Sequence, residues 1–156
     1  MTKRLAFDPA EVPESNGTTI PEPFKALNQN RYNRRLGDFA GLKNYGVNLT
    51  RILPGGQSSY LHAHTRQDEF IYVVEGEVVL ETSAGSQTLK SGMCAGFPAG
   101  SGTAHRFLNK TTRDVLLLVV GDRSAGDEIA YPDIDLHARF DQGGTYRYTK
   151  KDGTPL

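Results

Sequence analysis

The chain has 156 residues, 37% hydrophobic and 23% charged, so it is long enough for one domain with a buried core and short for two. Its 18 basic and 18 acidic side chains cancel, which argues against nucleic acid or an anionic membrane as a partner and favours a small molecule or another protein. The single cysteine, Cys94, excludes an internal disulfide framework and a cysteine-based zinc cluster, and we expect it to be a buried thiol. The longest apolar run, residues 115–120, is too short to cross a bilayer, so a cytoplasmic protein is predicted.

Residues 1–40 are predicted to form an N-terminal arm. Four prolines lie within the first 23 residues, and the apolar residues follow neither the strand period nor the helix period. Further along, Arg31, Arg34 and Arg35 lie close together beside an acidic residue. In a neutral protein such a group indicates a solvated or dimer-contact face rather than a phosphate or nucleic-acid patch.

From residue 45 onward, short extended segments alternate with turns. They are rich in Val, Tyr, Phe and Thr and recur at short, regular intervals, which is typical of a β-sandwich or barrel. We therefore predict an all-β barrel over residues 41–125. The predicted strands are 45–53, 58–64, 69–74, 78–83, 86–90, 93–100, 103–109 and 115–122.

Residues 126–156 are predicted to be a C-terminal extension that packs on the barrel and ends in a hairpin of segments 137–140 and 145–149. One barrel strand needs a cover, because residues 115–120 are apolar on both faces whereas a strand with one wet face should alternate. The N-terminal arm, the C-terminal tail or a second copy of the chain could supply that cover. We predict a homodimer, with the arm around residues 31–35 contributing to the contact.

Two histidines and a glutamate in the second and third predicted strands form the candidate site. His62 and His64 are two residues apart, so on a strand both imidazoles point to the same side. The polar turn at residues 65–68 would fold the Glu69 strand back antiparallel to the histidine strand, which places the carboxylate beside the imidazoles. His105, in a later strand, could join them if the sheet curls into a barrel. Three imidazoles and a carboxylate suit one divalent Fe, Mn, Ni, Cu or Zn ion per chain.

These residues lie in a longer pattern. Gly56, His62, His64, Glu69 and Gly76 have the spacing G-x5-H-x-H-x4-E-x6-G, which resembles the first sequence motif of the cupin superfamily. The resemblance implies a double-stranded β-helix, the jelly-roll barrel of cupins, as the fold of a single domain with an arm and an extension.

The second cupin motif is matched more loosely. Gly92, Pro98, Gly100, His105 and Asn109 resemble it, with four residues rather than two between the second glycine and the histidine. The resemblance implies four metal ligands, namely His62, His64, Glu69 and His105. Some similar small single-domain cupins carry a sugar-phosphate isomerase label, which is an analogy at the level of the fold.

Three further side chains are candidate substrate-binding residues. Tyr60 and Phe107 are expected to share the face of the ligands, and Arg51 could pair with an anionic substrate if its side chain points inward. The alternative for Arg51 is a position at a strand end with the guanidinium in solvent. The sequence thus predicts a metal-binding cupin acting on a small polar metabolite by isomerase-like, oxygenase or lyase chemistry. The alternative function is a non-catalytic binding or sensing module.

Overall fold

The computed structural model describes residues 5–156, except for the side chains of residues 27 and 28; residues 1–4 of the predicted arm lie outside the described residues. The described chain is almost entirely β-structure, with one short helix, α1 (Leu36–Ala40), and two 3-10 segments, Pro9–Glu11 and Phe24–Asn28. The strands are β1 (Glu14–Ser15), β2 (Arg31–Arg35), β3 (Tyr45–Ile52), β4 (Ala63–His64), β5 (Glu69–Glu75), β6 (Glu77–Thr82), β7 (Gly85–Lys90), β8 (Cys94–Phe97), β9 (His105–Leu108), β10 (Val115–Asp122), β11 (Glu128–Ala130), β12 (His137–Phe140) and β13 (Tyr146–Thr149).

The strands form two facing layers. One layer is a six-stranded antiparallel sheet in the order β1-β2-β3-β10-β5-β8. The other combines a three-stranded sheet, β7-β6-β9, with a four-stranded sheet, β13-β12-β11-β4. An antiparallel bridge between His62 and His105 joins these two smaller sheets. This arrangement of antiparallel sheets is the predicted jelly roll.

The main core fills the space between the layers. Strands β3, β5 and β10 bury Ile52, Ile71 and Leu117 against Leu80 and Phe107 from β6 and β9. Because alternate residues of a strand face opposite sides, each of these strands contributes every second residue to the core. Burial of large apolar side chains provides most of the free energy that holds the layers together.

A second core cluster lies where the C-terminal segment packs on the arm. Ile20 of the arm and Tyr60 pack with Ile129, Leu136 and Ala138 from the segment after the barrel. Residues 14–15 and 31–35 of the arm also add strands to the edge of the large sheet. The apolar pattern did not predict these strands, since β1 is only two residues long and β2 is dominated by arginine and asparagine.

At two glycines of the first motif, the structure shows why a larger residue would not fit. Gly76 has a φ of 90°, in the left-handed region that side chains disfavour, and a Cβ there would also lie 3.1 Å from the carbonyl oxygen of Asp114. At Gly56 a Cβ would lie 2.8 Å from the carbonyl oxygen of Asn30. Gly76 therefore allows a tight turn, and Gly56 allows a close approach of two backbone segments.

Cys94 is exposed, so the expectation of a buried thiol is wrong. It lies on the edge strand β8 opposite Tyr72 of β5, whose side chain is on the outer face of the sheet. Paired residues of adjacent strands project to the same face, which places Cys94 on the outside. Among the described residues, no helix has the length and apolar character needed to cross a membrane.

Candidate metal centre

Three side chains from different strands meet at one point between the layers. The Oε2 atom of Glu69 lies 2.8 Å from Nε2 of His105 and 3.5 Å from Nε2 of His62. One donor atom from each of the three side chains lies within 4.8 Å of the other two. Donor atoms that bind one ion at about 2.1 Å in neighbouring positions are about 3 Å apart, so this spacing suits a single metal ion.

The strands explain how these residues meet. Glu69 begins β5 and shares its inward face with Ile71 and Val73, which belong to the main core. His105 begins β9, and its backbone exchanges two hydrogen bonds with that of His62 across the bridge between the smaller sheets. The two imidazoles are therefore neighbours in one layer, while the carboxylate reaches them from the other.

The predicted pairing of the histidine strand with the Glu69 strand is wrong. β5 pairs with β8 and β10, whereas β4 pairs with β11, so the two strands lie in different layers. Glu69 approaches the imidazoles across the interior of the barrel rather than along one sheet. The turn at residues 65–68 carries the chain from one layer to the other instead of closing a hairpin.

His64 completes the set of four predicted ligands at a slightly greater distance. Its Nε2 atom is 4.0 Å from Oε2 of Glu69, and its ring centroid is 5.1 Å from that of His62. The structure thus brings His62, His64, Glu69 and His105 together. Their role as metal ligands stays a prediction.

Two of the imidazoles are oriented from behind by hydrogen bonds. Nδ1 of His62 donates to the carbonyl oxygen of Tyr60 at 2.9 Å, and Nδ1 of His64 is 2.6 Å from Oδ2 of Asp127. A proton held on Nδ1 leaves the lone pair of Nε2 free to bind a metal, which is a common arrangement around metal-binding histidines.

Asp127 is fully buried and was missed by the sequence analysis. Its Oδ1 atom also accepts hydrogen bonds from the backbone N–H groups of Arg66 and Gln67, which fixes the turn after His64. The residue lies 63 positions from His64 in the chain, so no local spacing could have linked the two. Its position just before β11, in a glycine-containing loop, gave no signal of its own.

The electrostatics of the centre favour an ionised carboxylate. Burial alone would raise the pKa of Glu69, but hydrogen bonds from His105 and His62 outweigh it and hold that pKa well below its usual range. Burial lowers the pKa of His105, which keeps its imidazole neutral at physiological pH. For His62 burial also acts to lower the pKa, but the hydrogen bond and negative charge of Glu69 outweigh burial and raise it. The ionised carboxylate and the neutral imidazole of His105 are already in the forms that bind a divalent metal. On His62 the metal would displace the proton that Glu69 favours, as metal binding to histidine commonly does, so this set of residues fits one.

Two adjoining cavities open beside the centre. The smaller, about 280 Å³, is lined by His62, and the larger, about 740 Å³, by His64 and Glu69. They share part of their lining, including Arg123 and Tyr146. The combined space has the size of a small-metabolite site and carries more polar groups than a plain apolar pocket.

The structure does not bring the predicted substrate-binding residues to these cavities. The hydroxyl of Tyr60 donates to the carbonyl oxygen of Phe24 at 2.8 Å, and Phe107 is buried in the main core. Arg51 lies on the outer face of β3, where it forms ion pairs with Glu14 and Asp114. It alternates with Ile52, which faces the core, so its guanidinium points away from the centre.

Comparisons with known proteins decide the family. The cupin domain family model matches residues 48–121. A crystal structure from Silicibacter pomeroyi, described as a sugar phosphate isomerase from the cupin superfamily, is 39% identical, with a TM-score of 0.91 over 97% of this chain and 96% of that chain. The chain belongs to the cupin superfamily. In this cupin the histidines and the glutamate of the two motifs lie close together at the centre described above.

Two further solved structures are similar to this cupin. One, provisionally named a sugar phosphate isomerase, comes from Acidithiobacillus ferrooxidans and is 28% identical, with a TM-score of 0.72 over 81% of this chain and 80% of that chain. The polyketide cyclase RemF from Streptomyces resistomycificus is 21% identical, with a TM-score of 0.62 over 78% of this chain and 80% of that chain, and shows the same fold. Among curated proteins, none matches the chain significantly.

Proposed function

We propose that this cupin binds one divalent metal ion through His62, His64, Glu69 and His105 and acts on a small polar metabolite in the adjoining cavities. The observation that carries the proposal is the cluster of three donor atoms within 4.8 Å of one another at the edge of these cavities. A stable structural cluster without a ligand would not need an opening to solvent beside it. The fold family alone would not fix the function.

A divalent ion held there would supply Lewis-acid polarisation of a carbonyl or phosphoryl oxygen. The chain's own residues supply binding and orientation. Burial raises the pKa of Tyr131 and of Tyr146, which keeps both hydroxyl groups protonated at neutral pH. Both side chains line the smaller cavity. The hydroxyl of Tyr131 can donate a hydrogen bond to a polar ligand, whereas that of Tyr146 already donates to Oε1 of Gln67 at 2.9 Å and can only accept one.

Isomerisation of a sugar phosphate is the reaction we propose to test first, ahead of oxygenase and lyase chemistry. The support is the name of the S. pomeroyi relative and its 39% identity over nearly the whole chain. The mechanism would not use a free histidine as its base. Three of the four histidines lie at the centre, two of them hydrogen-bonded to Glu69 or the backbone, and His137 lies on β12 with its Nε2 atom 3.4 Å from Glu128.

A non-catalytic binding or sensing module is the second candidate. The histidines near the cavities all belong to the metal centre, so none of them is free to act as a base. This favours a binding module, because binding alone needs no group that moves a proton. Both candidates use the same cavities and the same metal ligands. They differ in whether a bound metabolite is converted.

The experiment is a metal-dependent turnover assay. The protein is purified without a metal-affinity step, stripped with a chelator and reloaded separately with Fe, Mn, Ni, Cu or Zn, and aldose and ketose phosphates are followed by NMR. Turnover that returns with metal and is absent in His62→Ala supports an enzyme. Tight binding of a sugar phosphate without conversion under every metal supports the binding module. A cytoplasmic location stays a prediction that cell fractionation can check.

A further inference from the structure

Arg31 is placed differently from the other arginines beside the cavities. It begins β2, and its side chain lines the smaller cavity together with His62. One guanidinium nitrogen, NH1, donates to the carbonyl oxygen of Ser58. The Nε atom is buried and has no hydrogen-bond partner among the described residues. Part of this guanidinium is therefore removed from water while one of its N–H groups lacks a hydrogen-bond acceptor.

The neighbouring arginines have carboxylate partners. Asp38 lies close to both Arg35 and Arg123, which line the same cavity. Within residues 5–156, Arg31 has no carboxylate within 4.0 Å. A desolvated cation without an anion is unfavourable, and an enclosed guanidinium of this kind is the usual way in which proteins recognise carboxylate and phosphate groups.

The surroundings of Arg31 are suited to a polar anionic group. Burial lowers its pKa, but a guanidinium remains charged at physiological pH. Tyr131 and Tyr148 line the same cavity, and their phenol groups are uncharged at neutral pH because burial raises the pKa of both. Asn33 also lines it, and the Oδ1 atom of Asn33 already accepts a hydrogen bond from Thr50, which leaves its NH₂ group to donate.

We propose that Arg31 is the anion-recognition residue of this cupin and binds the carboxylate or phosphate group of a ligand whose other end reaches the metal centre. This inference rests on the proposed function in that it names the class of its ligand. It transfers to Arg31 the role that the sequence suggested for Arg51. Arg51 faces the other side of the sheet and already has two carboxylate partners, Glu14 and Asp114.

The test compares Arg31→Met with Arg51→Met, a matched removal of an arginine outside the cavities. Three probes share a two-carbon hydroxyl stem: 2-hydroxyethyl phosphate, glycolate and neutral ethylene glycol. Their affinities for the metal-loaded protein are measured by isothermal titration calorimetry, and metal content is measured by elemental analysis. The two anionic probes distinguish a phosphate group from a carboxylate.

The wild type is expected to bind at least one anionic probe more tightly than ethylene glycol. Arg31→Met should weaken that probe about 10- to 100-fold, the size expected from losing a charged hydrogen bond, and should leave ethylene glycol unchanged. Arg51→Met should bind all three probes as the wild type does. Metal content should be equal in all three proteins, since neither arginine is a predicted ligand.

A second variant, Arg31→Lys, keeps the test available if the methionine variant does not fold. It retains the charge but loses the planar fork, so the anionic probe should bind about 3- to 10-fold more weakly. Undiminished anion affinity in the Arg31 variants, or a wild type that prefers neither anion to ethylene glycol, would overturn the inference. If the wild type holds no metal, the proposed function fails, and the same titrations on the metal-free protein still decide the role of Arg31.

Discussion

His62 and His64 each form a hydrogen bond through Nδ1, the ring nitrogen that points away from Glu69. His62 uses a backbone carbonyl, and His64 uses the carboxylate of Asp127. These hydrogen bonds fix the ring orientation before any metal arrives, which lowers the entropic cost of binding one. The centre therefore depends on groups outside the four predicted ligands.

Removal of a predicted ligand gives the simplest check. His62→Ala and His64→Ala should each lower metal affinity by at least about tenfold, because even loss of a supporting hydrogen bond has effects of that size. The control is His137→Ala, which removes an imidazole that lies beside Glu128 on the outside of β12. Metal content is measured by elemental analysis after dialysis against a chelator. Equal metal in all four proteins would contradict the proposed centre.

Asp127 provides a more selective test. In Asp127→Asn the amide oxygen can still accept from the backbone of Arg66 and Gln67, so the NH₂ group would face Nδ1 of His64. Donation to Nδ1 would move the histidine proton to Nε2 and remove the lone pair that binds metal. We expect metal affinity to fall about 10- to 100-fold.

The tautomer of His64 is the measurement that separates this effect from simple loss of stability. Long-range ¹H–¹⁵N correlations should show the proton on Nδ1 in the wild type and on Nε2 in Asp127→Asn. The control is Asp141→Asn, a carboxylate in the exposed hairpin turn that accepts from the backbone of Gly143. An unchanged tautomer with normal metal affinity would show that Asp127 does not position His64.

The sequence located the centre better than it located the rest of the cavity, and the reason is geometric. A strand puts alternate residues on one face, so the spacing of His62 and His64 could be interpreted from the sequence. The same alternation could not tell whether Arg51 faces inward, since that depends on which face of β3 the other layer covers. The sequence predicts a surface position for Arg31, because the cavity that this side chain lines is formed by residues far away in sequence, among them Tyr131 and Tyr148.

At the level of elements, the arm is held to the barrel by strand pairing and by one bidentate ion pair. Glu14 of β1 receives hydrogen bonds from Nε and NH2 of Arg51, at 3.0 and 2.7 Å. The guanidinium also lies over the ring of Tyr32 on β2. The edge of the large sheet therefore depends on side chains that join three neighbouring strands.

This ion pair gives stability a pH dependence whose sign follows from the pKa of Glu14. The hydrogen bonds from Arg51 lower that pKa below the ordinary value of 4.5. A lowered pKa means that the stabilisation is present above the pKa of the unfolded chain and is lost as the pH falls through the pKa of the folded protein. Both side chains are partly exposed, so the contribution at pH 7 is about 0.5–1 kcal/mol.

Glu14→Gln should therefore lower the melting temperature at pH 7 by about 1–4 °C. The difference from the wild type should shrink as the pH falls below the ordinary glutamate pKa of 4.5 and through the lower pKa of Glu14 in the folded protein. The control is Glu77→Gln, because Glu77 is 4.0 Å from a largely exposed Lys90 and should contribute almost nothing. Thermal unfolding from pH 3 to 8 measures all three proteins. A difference that is independent of pH would exclude the ion pair as its cause.

At the scale of the whole molecule, the large sheet leaves an apolar face open to solvent. Phe70, Tyr72 and Val74 project from the outer side of β5 and are 44%, 40% and 42% exposed. The outer side of β10, predicted from sequence to need a cover, is adjacent: its residues Leu118 and Val120 pair with Tyr72 and Phe70. Exposed apolar patches of this kind mark interaction surfaces in soluble proteins.

The predicted homodimer is best tested on this face. The arm lies at the opposite edge of the sheet, with β3 and β10 between β2 and β5, so within the described structure it does not cover the outer side of β5. Two copies packed sheet to sheet would bury the exposed aromatic side chains of both, an isologous contact typical of dimers.

Light scattering of the wild type at micromolar concentration should give twice the chain mass of 17.1 kDa. Tyr72→Lys should give the monomer mass, because a charge buried in an apolar contact is unfavourable. The control is Leu42→Lys, which alters a similarly exposed apolar residue outside the sheet and should leave the dimer intact. A monomeric wild type would contradict the prediction.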